Sequence, residues 1–195
     1  LHFRHGLFPP LGKLFNPFCG FWRNKDKPDV PREVIGLPGL REPVEIVWDE
    51  RYVPHIFARN DHDLYYAQGY VLARERLWQM DFQARYAAGR LAEVIGPAVL
   101  DHDRLQRRLG MVWAAERTLQ VLSDDPVLSA VVQAYTDGVN AHLSRLKPAD
   151  FPLEYKFFDY RPEPWRPIQA ALLMKYMAWT LTGQNSDLRQ TEMHE

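Results

Sequence analysis

The 195-residue sequence has a single cysteine, Cys19, so no disulfide can close within the chain and cysteine usage leaves the compartment open. Cys19 has no activating neighbour and reads as a small buried hydrophobe. A formal net charge of −1 gives no overall electrostatic argument for nucleic acid or an anionic membrane. No apolar run approaches the roughly 20 residues that a bilayer-spanning helix needs. G-x-S-x-G elbows, phosphate-binding glycine loops and paired-cysteine metal sites are all missing. The serines are Ser123, Ser129, Ser144 and Ser186, each at a helix cap or in a polar turn without histidine and acid in order. Taken by its own residues, the chain is a helical module without an active site. It starts with Leu1, which leads us to expect processing or trimming at that end and any signal peptide already gone.

What is present suits one sizeable domain: 46% hydrophobic and 25% charged residues are ordinary for a soluble globular protein. The organising stretch runs from Asn60 to Pro97. Tyr70, Ala73, Leu77, Met80, Ala84, Ala87 and Leu91 recur at steps of three and four, which predicts a long helix buried along one side. Asn60 or Asp61 is a natural N-cap, and Gly96-Pro97 is the expected stop. Asp81 and Arg85, four apart, are expected to pair on the surface.

Upstream, residues 1–54 hold eight of the fifteen prolines, which excludes a long helix there. Phe3, Phe8, Phe15, Phe18, Phe21 and Trp22 make this segment too aromatic for a disordered tail. It is read as an extended arm over residues 1–43, wrapped over its own domain or pressed onto a partner. Val44 to Trp48 alternates as a strand, and Pro54 to Ala58 returns as its hairpin mate, carrying His55 as a hydrogen-bonded structural histidine. Leu105, Leu109, Val112, Ala115, Leu119 and Leu122 predict a second helix capped by Asp101. Asp101-His102-Asp103 lacks a further ligand at metal spacing and reads as a solvated helix start. Asp125-Pro126 opens a third helix ending at Lys147-Pro148. Residues 151–167 read as a packed loop, and Pro167 starts a fourth helix that fades near Gly183 before a polar tail. His194-Glu195 is too short to count as a zinc motif.

The stretch GYVLARERLWQMDFQARYAAGRLAEVIG (69–96) resembles the signature of the penicillin acylase family of N-terminal-nucleophile amidohydrolases. VPHIFA (53–58), AYTDGVNAHL (134–143) and PLEYKFFDYRPEPW (152–165) agree with it and come in the same order. One departure is Tyr52, where the family usually has glycine, so the tight turn must be made differently. The resemblance implies an α+β architecture: a mainly α-helical chain with a short β-hairpin near residues 44–58, completing an αββα fold with a separate β chain. Family members are made as one precursor that cuts itself into a smaller α and a larger β chain. The new N-terminal serine of the β chain attacks the amide carbonyl while its own α-amino group takes the proton. On that basis residues 44–195 are an α-subunit domain, and no catalytic residue is expected on this chain.

Two contributions follow residue by residue from the resemblance. Met177, Thr180 and Leu181 match positions that line the acyl pocket. Phenylacetyl-specific members have arginine and phenylalanine at the last two, so threonine and leucine imply a pocket for aliphatic or otherwise different acyl groups. Read without the resemblance, Met177 and Leu181 are ordinary core residues. Asp187 matches an α-chain carboxylate that helps hold a structural calcium shared with the β chain; no organic cofactor is implied. The expected partners are the β chain and a small acyl amide, of the β-lactam side-chain or acyl-homoserine-lactone type, with neither nucleic acid nor membrane. The periplasm is the expected location. The rival expectation, from a different class, is a non-catalytic helical scaffold or binding module.

Overall fold

A computed structural model describes residues 14–24 and 32–182. Over these the chain is mainly helical with one small antiparallel sheet. Strands β1 (Arg32–Ile35), β2 (Val44–Trp48) and β3 (Pro54–Phe57) lie in that order. The expected β2–β3 hairpin is present, with Ile46 opposite Ile56 and Trp48 opposite Pro54. On its other edge β2 gains β1, which comes from within the proline-rich segment and pairs Ile35 with Val44. Val44 and Ile46 are fully buried, as their alternation predicts, and Trp48 at the end of the same face takes the Arg74 guanidinium 4.5 Å from its ring centroid.

The hairpin turn shows what replaces the missing glycine. Tyr52 itself adopts the left-handed conformation, φ 61°. Asp49 Oδ1 accepts from the amides of Arg51 and Val53, both at 2.9 Å, and so holds the turn through a side chain. His55 projects from β3 on the exposed side of the hairpin rather than into an apolar interior, with Nε2 3.4 Å from Asp49 Oδ2.

Helix α1 (Asp61–Ala88) carries the fold. Asn60 is its cap, accepting from the Asp63 amide, and every residue of the predicted stripe is buried. Three expectations about it change. Burial is not confined to one side, because Tyr66, Gly69, Val71, Asp81, Arg85 and Ala88 are enclosed as well. The helix bends at Arg76, whose φ −137° and ψ 21° are not helical. It stops at Gly89, φ 65°, not at Gly96: the αL cap comes first, and a short helix α2 (Ala92–Ile95) follows before Gly96 turns the chain again.

Downstream, the predicted second helix is two, α3 (Leu100–Arg108) and α4 (Met111–Ser123), separated at Gly110, φ 72°. Leu105 and Leu109 are exposed in consequence. Asp101 is solvated and caps nothing. Asp103 is not solvated: it is buried, and its two oxygens accept from the amides of Leu91 and Ala92 at 2.9 and 2.8 Å, which caps α2 across the fold. Helix α5 (Pro126–Leu143) begins as predicted, with Asp125 accepting from Val127 and Leu128, but ends a turn before Lys147. The segment expected as a loop holds a short helix, α6 (Leu153–Phe157), and α7 (Pro167–Leu181) starts at Pro167.

Three apolar clusters sit along α1 in turn. Near its start, Tyr66, Ala67, Tyr70 and Val71 receive the sheet through Ile35, Val44 and Ile46. At mid-length, Leu77, Met80 and Ala84 meet Val139, Tyr155 and Trp165. Near its end, Ala87 and Ala88 meet α4 and α7 through Met111, Ala115, Ala171 and Leu172. Helices α1 and α5 cross in backbone contact. A Cβ on Gly69 would stand 2.2 Å from Tyr135 O, and one on Gly138 would stand 1.9 Å from Tyr66 O. Neither obstacle is a movable side chain, so Gly138→Ala must push the helices apart. We expect it to destabilise the protein by about 3 kcal/mol in chemical or thermal unfolding; an unchanged midpoint would mean the crossing is looser than described.

Candidate acyl-pocket wall on helix α7

Helix α7 is positioned by a loop gripped from two sides. Asn140, on α5, clamps the backbone of Trp165: its Nδ2 donates to the carbonyl and its Oδ1 accepts from the amide, each at 2.8 Å. The Trp165 ring is buried among Leu77, Met80 and Tyr155. From the other side, Glu163 is held by two arginines of the α1 signature, Arg85 Nη2 at 2.9 Å and Arg90 Nη2 at 3.1 Å. Gln169 Oε1 then accepts from the Arg166 amide at 2.5 Å, and Pro167 sets the first helical φ.

Arg85 is the hub of the charged group beneath this loop. The Asp81–Arg85 pair, expected on the surface, is buried: Arg85 Nε lies 3.0 Å from Asp81 Oδ1, and Tyr155 OH donates to the other Asp81 oxygen at 3.3 Å. Arg85 also reaches Glu93 at 2.8 Å. Burial pushes the Asp81 carboxyl above its ordinary range against the pull of Arg85. Burial works against the Arg85 charge as well, but Asp81 and Glu163 more than offset it and keep the guanidinium ionised. An i,i+4 spacing predicts that two such residues meet; it does not say on which side of the helix the partner packs.

Along α7 itself two faces differ. Ala171 and Leu172 are buried, with Ile168, Tyr176 and Trp179 partly so. Met174, Met177, Ala178 and Leu181 form an exposed stripe at i, i+3, i+4, i+7, with Met177 62% and Leu181 78% accessible. The reading of Met177 and Leu181 as ordinary core residues fails for this chain. Thr180 is exposed beside them, and its hydroxyl donates to the Met177 carbonyl at 3.0 Å. Met177, Thr180 and Leu181 therefore share one end of one helix, and Met174, legible from the same spacing, extends the stripe. Asp187 lies outside the described residues, as do Gly183, Ser186 and the His194-Glu195 end. Among the described residues no group of three or more His, Cys, Asp or Glu is arranged to hold a metal ion.

Among the described residues, several hydroxyls and imidazoles elsewhere bond within the fold. Ser123 Oγ donates to the Leu119 carbonyl and Ser144 Oγ to that of Ala141. His62 Nδ1 lies 3.0 Å from Asp63, and His102 Nε2 lies 3.2 Å from the Tyr86 carbonyl. Among the described residues no helix is long and apolar enough to cross a membrane.

The penicillin amidase family model matches residues 43–195, which contain the whole α1–α7 frame. This chain belongs to the penicillin amidase family. Its relatives are named as acylases. The penicillin acylase 2 proenzyme of Pseudomonas sp. strain SE83 is 38% identical over 141 residues, covering 72% of this chain and 18% of the relative. The acyl-homoserine lactone acylase QuiP of Pseudomonas aeruginosa is 36% identical over 145 residues, covering 74% and 17%. The chain thus spans about a fifth of the length of the curated relatives it matches. A solved thermostable penicillin G acylase from Alcaligenes faecalis superposes with a TM-score of 0.67 at 30% identity, covering 77% of this chain and 80% of that one.

Within this family frame the Asn140 clamp makes a direct prediction. Asn140→Ala strands a buried amide and carbonyl at Trp165, so unfolding should show a loss of about 2–3 kcal/mol. Proteolysis or hydrogen exchange should place the loosening in 160–170 and α7; uniform loosening would refute the clamp.

Proposed function

We propose that this chain is the α subunit of a self-processed amidohydrolase that removes the acyl group from N-acyl amides. Its partner is the β chain of the same precursor, completing an αββα assembly around residues 44–195 as the α-subunit domain. The observation that carries the reading is α7: a helix apolar on two faces belongs between two partners, and only one face is covered within this chain. Two comparisons support division of the precursor. One relative is named a proenzyme, and the chain covers 80% of a solved penicillin G acylase chain but about a fifth of the curated relatives. In this reading the nucleophile is the N-terminal serine of the β chain. Its hydroxyl attacks the amide carbonyl, its α-amino group takes the proton, and β-chain donors stabilise the tetrahedral oxyanion.

Met177, Thr180 and Leu181 form the α-chain wall of the acyl pocket. Without an aromatic ring or a cation at the last two positions, that wall suits a flexible aliphatic acyl chain better than a planar phenylacetyl group. Both acylase types among the relatives are compatible with this: β-lactam side-chain amides and acyl-homoserine lactones. Turnover by the complete protein should favour medium-chain aliphatic amides over phenylacetyl amides by about tenfold or more in kcat/KM. Leu181→Phe should narrow the gap without lowering stability, since Leu181 is not part of this chain's core. A phenylacetyl preference in the parent protein would overturn the assignment.

We also propose that a structural calcium joins the two chains, with Asp187 as one ligand. Calcium takes six to eight oxygens, so most must come from the β chain. The site of maturation in this reading is the periplasm. Metal analysis of the purified assembly should give about one calcium per α/β pair, lost in Asp187→Ala; a metal-free assembly of full activity would dismiss the site.

A further inference from the structure

Helices α4 and α5 face each other across a cleft near the start of α7. Leu119, Leu122 and Ser123 stand at i, i+3 and i+4 on α4, and Ser129, Val132 and Gln133 repeat that spacing on α5, so each helix turns one side to the gap. With Ile168 from the first turn of α7 they border about 430 Å³, a volume within the range of small-ligand pockets. Leu119, Leu122, Val132 and Ile168 are each only partly buried, so apolar surface faces the gap that this chain's own packing does not cover. Neither an aromatic ring nor a carboxylate lines it.

The polar side chains around the cleft differ in how far they are engaged. Ser123 Oγ donates to the Leu119 carbonyl at 2.8 Å, and Gln133 Nε2 donates to Asp137 Oδ1 at 2.8 Å. Ser129 Oγ has no hydrogen-bond partner among the described residues. Arg166 is the one charged residue in the wall, and it enters no ion pair among the described residues. The acid nearest it in sequence, Glu163, is held by Arg85 and Arg90 instead. We propose that the cleft binds an aliphatic monocarboxylate, whose chain lies on Leu119, Leu122, Val132 and Ile168 and whose headgroup pairs with Arg166. A free guanidinium offers a planar fork of donors that matches a carboxylate. One cation balances one negative charge, so a dianionic phosphate ester fits less well. An aliphatic lining without a ring suits a flexible chain better than a planar group. Ser129 adds a hydroxyl from the α5 side.

This site is distinct from the acyl-pocket wall, because Pro167 and Leu181 mark opposite ends of α7, about 21 Å apart. It does not depend on the amidase reading. An amidase of the proposed kind releases acids of this class, however, so the test must separate the two places. Octanoate is titrated calorimetrically into the complete protein, with octanol as the uncharged control. Octanoate should bind about fivefold more tightly than octanol. Hexanoate should bind at least about fourfold more weakly than octanoate, for two methylenes withdrawn from the apolar lining. Arg166→Gln should bring octanoate down to the level of octanol with the unfolding midpoint unchanged. Val132→Trp, which fills the cleft, should abolish binding of both, while Leu181→Phe leaves it intact. Three results would overturn the proposal: no octanoate binding, as when partner side chains fill the cleft; binding that Arg166→Gln does not weaken; or binding lost only in Leu181→Phe, which assigns it to the acyl pocket. An assembly that hydrolyses no amide yet binds octanoate through Arg166 upholds the site and removes the amidase reading instead.

Discussion

Two backbones touch where α1 crosses α5, and the rest of the chain is arranged around that contact. Gly69 and Gly138 each face the other helix's main chain, so the interaxial distance is set by peptide groups and not by adaptable side chains. Once that distance is fixed, Tyr66 and Tyr70 reach the sheet on one side and Leu77 and Met80 reach Tyr155 and Trp165 on the other. Asn140 lies two residues beyond Gly138 on the same helix, so the close crossing also determines where the Trp165 clamp stands. From that clamp to the first turn of α7 is two residues. The candidate pocket wall is therefore referenced to a glycine contact through a short chain of hydrogen bonds, with no flexible link between.

A second constraint works on the same loop. Arg85, on α1, and Arg90, just past the Gly89 cap, both belong to the signature stretch and both hold Glu163. A buried guanidinium that lost these carboxylates would keep its charge without compensation, which is far worse than never having been buried. The charged group is thus less a source of stability than a demand for one arrangement: the loop must return to α1 at Glu163 for Arg85 to be satisfied. Loop position is specified twice, by an amide clamp and by an ion-pair group, before α7 begins.

Much of this was legible in the sequence, and what was not had identifiable reasons. The α1 stripe, the Asn60 and Asp125 caps, the hairpin and the Pro167 start follow from periodicity and capping chemistry, which are local. The misread features depend on who sits opposite. Spacing alone puts Asp81–Arg85 on the surface, because it reports which residues meet and says nothing of what covers them. Asp103 looked solvated because its partners, the Leu91 and Ala92 amides, are a helix end twelve residues away. Gly89 and Gly96 are both plausible stops, and the earlier αL glycine won. The α3–α4 break at Gly110 was hidden because the leucines continue in register across it. For the candidate site, helical spacing groups Met177 and Leu181, but assigning them to a pocket took the family resemblance.

The exposure of that stripe has a consequence for how specificity can vary. Core residues of α7 such as Ala171 and Leu172 fit against Met111 and Ala115, where a change of one methylene is felt in stability. Met174, Met177 and Leu181 touch nothing so demanding within this chain. On the proposed reading they are the surface against which an acyl group and the β chain settle, and substitution there alters the shape of the pocket while the buried face still holds the helix in register. In that proposal, separating the face that anchors from the face that selects would let one scaffold serve different acyl groups without refolding. On the same reading, a helix apolar on both faces is tolerated because the proposed β chain covers the outer one.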